Sequence, residues 1–171
     1  MAPKVQTPSD KLKKIKMVEQ VKDIKKWTKK VSALIALGAD PKVLDNYDDN
    51  NSIITEYVIA DQLDTDELYN LIKYLLNVGV TPTNEVFVSC LMHNVRHADL
   101  IMEATGNTIN VNTLDIYGTP VHMWVAKEII KNKVNRPISQ IQYLTVKGLK
   151  TDVKKFSIND LEEMMKKIHL P

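Results

Sequence analysis

The sequence predicts an all-α protein, a solenoid of paired helices closed at each end by a capping helix. Three observations predict it. Four apolar segments each stop at a glycine, the stretches between those stops carry helix-period stripes in pairs, and both ends carry amphipathic segments with polar outer faces. The four segments are Ala33-Leu-Ile-Ala-Leu-Gly38-Ala-Asp-Pro41, Ile72-Lys-Tyr-Leu-Leu-Asn-Val-Gly79-Val-Thr-Pro82, Ile101-Met-Glu-Ala-Thr-Gly106-Asn-Thr-Ile109 and Ile141-Gln-Tyr-Leu-Thr-Val-Lys-Gly148-Leu. A glycine can take the left-handed conformation that ends a helix without steric cost. The glycines are 41, 27 and 42 residues apart, a ragged period averaging about 37.

Taken in order, the elements begin with a stripe of Leu12, Ile15, Val18, Val21, Ile24 and Trp27 among lysines, running on through Val31 to Leu37. It reads as an N-terminal capping helix leading into the first unit. Ser52 to Ala60 opens on an N-cap residue and carries Ile53, Ile54, Tyr57 and Val58. Thr65 to Val78 follows, with Leu68, Leu71, Ile72 and Leu75 on one stripe and Asp66 and Glu67 at the helix's positive end. A third, shortened pair spans Glu85 to His93 and Ala98 to Thr105. Pro120 to Lys131 and Pro137 to Lys147 form a fourth, each with proline in the first turn, where its missing N–H costs nothing. Ser157-Ile-Asn-Asp160 has capping-box spacing before a C-terminal helix from Leu161 to Ile168. The expected organisation is a basic N-terminal segment and cap over 1–30, about four helix pairs over 31–152, and a C-terminal cap over 153–171.

Composition excludes several classes. The chain has 171 residues, 44% of them hydrophobic and 26% charged, which is enough for a packed core. No apolar run approaches the roughly 18–20 residues that a membrane span needs. Cys90 is the single cysteine, so no internal disulfide forms, and the expected location is a reducing intracellular compartment, cytoplasm or nucleus. Net charge is +2, but the stretch from Lys4 to Lys30 is basic and Asp40 to Asp66 is acidic. The basic residues are lysines apart from Arg96 and Arg136, which argues against a protein that reads nucleotide sequence, where arginine's fork is favoured.

Asp115-Ile-Tyr-Gly-Thr-Pro-Val-His-Met-Trp-Val-Ala126 resembles the opening of an ankyrin repeat. Leu34-Ile-Ala-Leu-Gly38-Ala-Asp40 and Leu75-Leu-Asn-Val-Gly79 are similar to the ending of that family's second helix. The resemblance implies β-hairpin turns before each helix pair, with Thr119 as N-cap, Pro120 at the first helical position and His122 bracing neighbouring hairpins. It also implies protein recognition without catalysis. Partner contact is then expected at the hairpin tips Tyr47, Asp48, Asp49, Asn50, Ile116 and Tyr117, and on inner helices at Glu56 and Met123. Gly118 directly before Thr119, Trp124 at a position where the family has a small residue, Ser52-Ile-Ile-Thr55 in place of Thr-Pro-Leu-His, and the short third unit depart from the pattern.

Reactive chemistry finds little support. His93 and His97 have zinc-helix spacing, but position 94 is Asn, not the glutamate of a metalloprotease. They read as an exposed or turn-bracing pair. Asp45, Asp49, Asn51 and Glu56 match four positions of a calcium loop, yet Asn50 replaces its required glycine. A polar hairpin explains that run. Cys90 sits in the apolar run Val86 to Met92 and reads as core. No cofactor or metal is therefore expected. The remaining candidate is a basic face of Lys13, Lys14, Lys22, Lys25, Lys26 and Lys29. It would serve a second role, a structural subunit of a large assembly (ribonucleoprotein or virion) contacting nucleic acid through its N-terminal helix.

Overall fold

A computed structural model describes residues 6–17, 23–48, 51–60, 66–116, 119–121 and 136–150. The chain divides into two compact units, Met1–Gly106 and Asn107–Pro171, a boundary inside the segment read as repeats. Among the described residues the architecture is almost wholly helical.

Unit 1 opens with α1, Pro8–Lys13, started by a capping box in which Thr7 and Asp10 satisfy each other's end groups. The stripe that reads as one N-terminal helix is therefore interrupted. α1 ends at Lys13, residues 15–17 are not helical, and α2 spans Ile24–Ala36. The physical reason is that two aromatic side chains capture the backbone of 15–17. The Tyr47 hydroxyl donates to the Ile15 carbonyl at 2.7 Å and accepts the Met17 N–H at 3.1 Å, while the Trp27 indole N–H donates to the Lys16 carbonyl at 3.1 Å. Trp27 in turn meets Tyr57 edge-on, with ring centroids 5.5 Å apart, a geometry the ring quadrupoles favour.

A 3₁₀ turn, Pro41–Leu44, and a bridge between Asp48 and Asn51 lead to α3, Ile53–Ile59, capped by Ser52. Then come α4, Asp66–Val78; α5, Asn84–His93; and α6, Val95–Ala104. α6 starts three residues earlier than its apolar pattern indicates because Asn94 both ends α5 and caps α6, its side chain accepting the Arg96 N–H at 2.9 Å. Ile53, Ile54, Tyr57, Leu68, Leu71, Ile72 and Leu75 are all buried, as their spacing predicts. Burying the four apolar side chains of α4 contributes on the order of 6–12 kcal/mol. A helix of thirteen residues is marginal alone, so packing decides its stability.

The packing within unit 1 alternates. α3 lies against α5, α2 against α4, and α4 against α6, while α1 packs on α2 and on the 3₁₀ turn. Within the same unit α5 also packs extensively on α6, and α3 on α4.

In unit 2, β1, Asp115–Ile116, pairs antiparallel with β2, Thr119–Pro120. Pro120 therefore lies in the strand pair and Val121 is the first helical residue, correcting the expectation that Thr119 caps the helix and Pro120 begins it. Strand pairing with Asp115 and Ile116 holds both residues extended, ahead of the helix. α7 spans Arg136–Val146, with Pro137 in its first turn.

All four stop glycines have positive φ, from 65° at Gly106 to 109° at Gly79. Their uneven spacing now has a location. From glycine to the next helix start is fifteen positions after Gly38, five after Gly79 and fifteen after Gly106. The third helix pair lacks the hairpin, and its two helices are joined by Asn94 alone. At Gly79 an added Cβ would also come within 3.3 Å of the Pro41 ring. Gly79→Ala should lower stability by about 1–2 kcal/mol in urea denaturation, with helix content unchanged in the folded state.

Candidate functional site

The turn at 48–51 and the β1–β2 turn share one register. Asp48 and Asn51 stand ten and thirteen residues past Gly38, and Ile116 and Thr119 stand ten and thirteen past Gly106. Each has two residues between its bridged positions, the first as an isolated bridge and the second as a pair of two-residue strands. Asp48 is exposed, and Asn51 donates its N–H to the Asp48 carbonyl. Tyr47 faces inward more than the sequence reading anticipates. It is half-buried, both functions of its hydroxyl serve residues 15 and 17, and burial pushes its phenol above the usual range while the Met17 hydrogen bond opposes that. Glu56 is half-buried on α3, close enough to Tyr47 for its charge to raise that phenol further. Asp49, Asn50, Tyr117, His122, Met123 and Trp124 lie outside the described residues, as do Lys22 and the helix expected over 161–168; only the backbone of Ile116 is described.

The exits from the helices carry a device that the sequence reading missed. After Gly38, Gly79 and Gly148, the next residue donates its N–H back into the ending helix: Ala39 to Leu34, Val80 to Leu75 and Leu149 to Leu144, each at 2.9–3.0 Å. This is the long hydrogen bond of a left-handed helix stop, and Ala39, Val80 and Leu149 are all buried beneath it. The residue after that donates its N–H to a side chain from 31–38 residues earlier. The Asp40 N–H bonds Ser9 Oγ at 3.0 Å, the Thr81 N–H bonds Asp45 Oδ1 at 2.8 Å, and the Lys150 N–H bonds Asn112 Oδ1 at 2.7 Å. Asp45 also accepts the Thr81 hydroxyl, and the Asn112 amide donates to the Gly148 carbonyl at 3.0 Å. Each of these three exit loops is thereby tied to a segment 31–38 residues earlier in the chain. A polar residue 29–36 positions upstream of Gly38, Gly79 and Gly148 is the sequence signal that finds Ser9, Asp45 and Asn112.

The residues considered for metal chemistry are dispersed. Asp45 is occupied by Thr81. His93 ends α5 and is exposed, whereas His97 is buried in α6 beside Tyr69, so the two are not on one helix. The expectation of an exposed or turn-bracing pair fails for His97, because α6 begins at Val95 and turns that position into the core. Among the described residues no three His, Cys, Asp or Glu side chains gather where they could hold an ion. Cys90 is fully buried, and burial pushes its thiol up to about 12, leaving almost no thiolate at neutral pH.

On the surface, Arg96 stacks 3.9 Å above the Tyr69 ring and bonds Asp66 at 2.5 Å, tying the start of α6 to the start of α4. The pair is exposed and so worth little to stability. Lys13, Lys14, Lys25, Lys26 and Lys29 are all exposed, the last three on α2, which has no acidic residue along its length. No described helix is long and apolar enough to cross a membrane.

Set beside known protein families, curated proteins and solved structures, the chain matches none of them.

The clamp is testable directly. Asp45→Ala removes a charged acceptor serving two donors and should cost about 1.5–3 kcal/mol in denaturant unfolding. Asp45→Asn should lose less than half of that, because Asn112 does the same task at the corresponding position.

Proposed function

We propose that this chain is a non-catalytic recognition module, an ankyrin-like stack of helix pairs that holds another protein on its hairpin turns and helical faces. The single observation that carries the reading is the clamp repeated at one register after Gly38, Gly79 and Gly148. A chain that fastens each exit loop to the preceding repeat builds a surface from successive units, and extended recognition surfaces are what such stacks provide. The shared register of the two hairpins supports it further, because their turns then emerge at equivalent points of their units. Asp48 is an exposed side chain of the first turn, as is Asn51, and Tyr117 falls in sequence between the bridged positions of the second. Tyr47 belongs to the scaffold under this reading, since its hydroxyl is committed to the chain's own backbone.

The exposed lysines favour one second reading. Lys13, Lys14, Lys25, Lys26 and Lys29, with Lys22, would carry a structural subunit onto nucleic acid. Salt separates the two, because phosphate contacts lose affinity steeply with ionic strength.

The test is affinity capture by the tagged full chain at low and at high salt, repeated with Asp48→Lys and Tyr117→Ala. The module reading expects a protein retained at both salts, with each variant weakening its capture at least about tenfold. Retention of nucleic acid only, lost at high salt, or capture indifferent to both variants overturns it.

A further inference from the structure

The stack of second helices in unit 1 is not closed evenly. Between α2 and α4 lies an open groove of about 610 Å³. Its floor is aliphatic, with Ile24 and Leu71 nearly buried. Lys25 and Lys29 line the α2 side one helical turn apart, their Cα atoms about 6 Å apart along the axis. Thr28 lies between them, and from α4 Asn70 supplies a polar group while Tyr74 contributes its ring, its hydroxyl being buried. The charge is one-sided. α2 carries four exposed lysines and no acid, while of the two acids in the first turn of α4, Asp66 is held by Arg96 and only Glu67 reaches the groove.

We infer that this groove is the docking site for an acidic amphipathic helix of a partner protein. Carboxylates four residues apart on such a helix repeat at the same rise as Lys25 and Lys29, and apolar side chains between them would cover Ile24 and Leu71. Nucleic acid fits less well. Its phosphates would lie over an aliphatic floor beside Glu67, and no arginine lines the groove. The inference rests on the recognition-module reading and names the chemistry of the partner.

The experiment measures binding of a fluorescent glutamate–leucine amphipathic helical peptide to the full chain. A peptide of identical composition with scrambled periodicity and a single-stranded oligonucleotide serve as comparators. Lys25→Glu combined with Lys29→Glu should weaken the amphipathic peptide at least about tenfold, while Lys42→Glu combined with Lys73→Glu, exposed positions outside the groove, should change it less than about twofold. Thr28→Trp fills the groove at constant charge and should also weaken binding at least about tenfold. Circular dichroism verifies that each variant is folded, and the charge-reversal pair decides the matter should Thr28→Trp not fold. Equal loss in both charge-reversed pairs, binding unaffected by a folded Thr28→Trp, equal binding of the scrambled peptide, or tighter binding of the oligonucleotide overturns the inference. Should the groove fail while hairpin variants still abolish protein capture, the module stands and only the groove is wrong.

Discussion

An amide N–H in an exposed loop has water available and no need of a protein partner. At Asp40, Thr81 and Lys150 it nevertheless finds one, a side-chain oxygen supplied 31–38 residues earlier. The geometry depends on what precedes it. The glycine takes positive φ, the following residue is buried and returns its N–H to the helix, and the chain leaves in a direction that presents the next amide to the preceding unit. Each clamp is worth about 0.5–1.5 kcal/mol, or more where the acceptor is the Asp45 carboxylate. That is small beside the burial of α3 and α4. Burial is non-directional, however, and would tolerate helices that slide past one another; a hydrogen bond at one register fixes how far each unit advances on the last.

The same logic explains how the ragged glycine spacing coexists with helix packing in unit 1. The clamp joins exit loop to the chain before it, not hairpin to hairpin, so a unit can lose its hairpin and shorten its helix connection to Asn94 while α3 still rests on α5 and α4 on α6. What the segment after Gly79 gives up is a turn between its glycine and its next helix. The two turns that remain carry different residues, Asp48 and Asn51 in one and Ile116 and Thr119 in the other, bridged at the same distance from their glycines.

Much of the fold is legible in the residues because it rests on local rules. Period-3.6 stripes give α3 to α5 within a residue or two, and the positive-φ stops fall at the four glycines read as stops. Two features are not local and were misread for that reason. The break after Lys13 is imposed by Tyr47 and Trp27, which lie thirty and eleven residues away from the backbone they bind. His97 looks like a turn residue until the single-residue connection at Asn94 brings it into α6 and the core. The candidate surface was half legible. The exposed lysines of α2 and the exposed Asp48 follow from composition and turn chemistry, whereas Tyr47 is an aromatic in a turn whose partner only the fold reveals. The groove between α2 and α4 required knowing which helices become neighbours.

The surfaces left exposed follow from this packing and these hydrogen bonds. The described residues place their one cysteine in the core with its thiol protonated, bury His97 while leaving His93 exposed, and leave the lysines of α2 facing solvent. The most direct measurement is amide hydrogen exchange, resolved residue by residue, on the folded full chain. The amides of Asp40, Thr81 and Lys150 should exchange at least about a hundredfold more slowly than those of free peptides, as bonded amides do, although Asp40 and Lys150 are exposed. Exchange of these three at free-peptide rates, with the helices still protected, would contradict the clamp and the ordered stacking built on it.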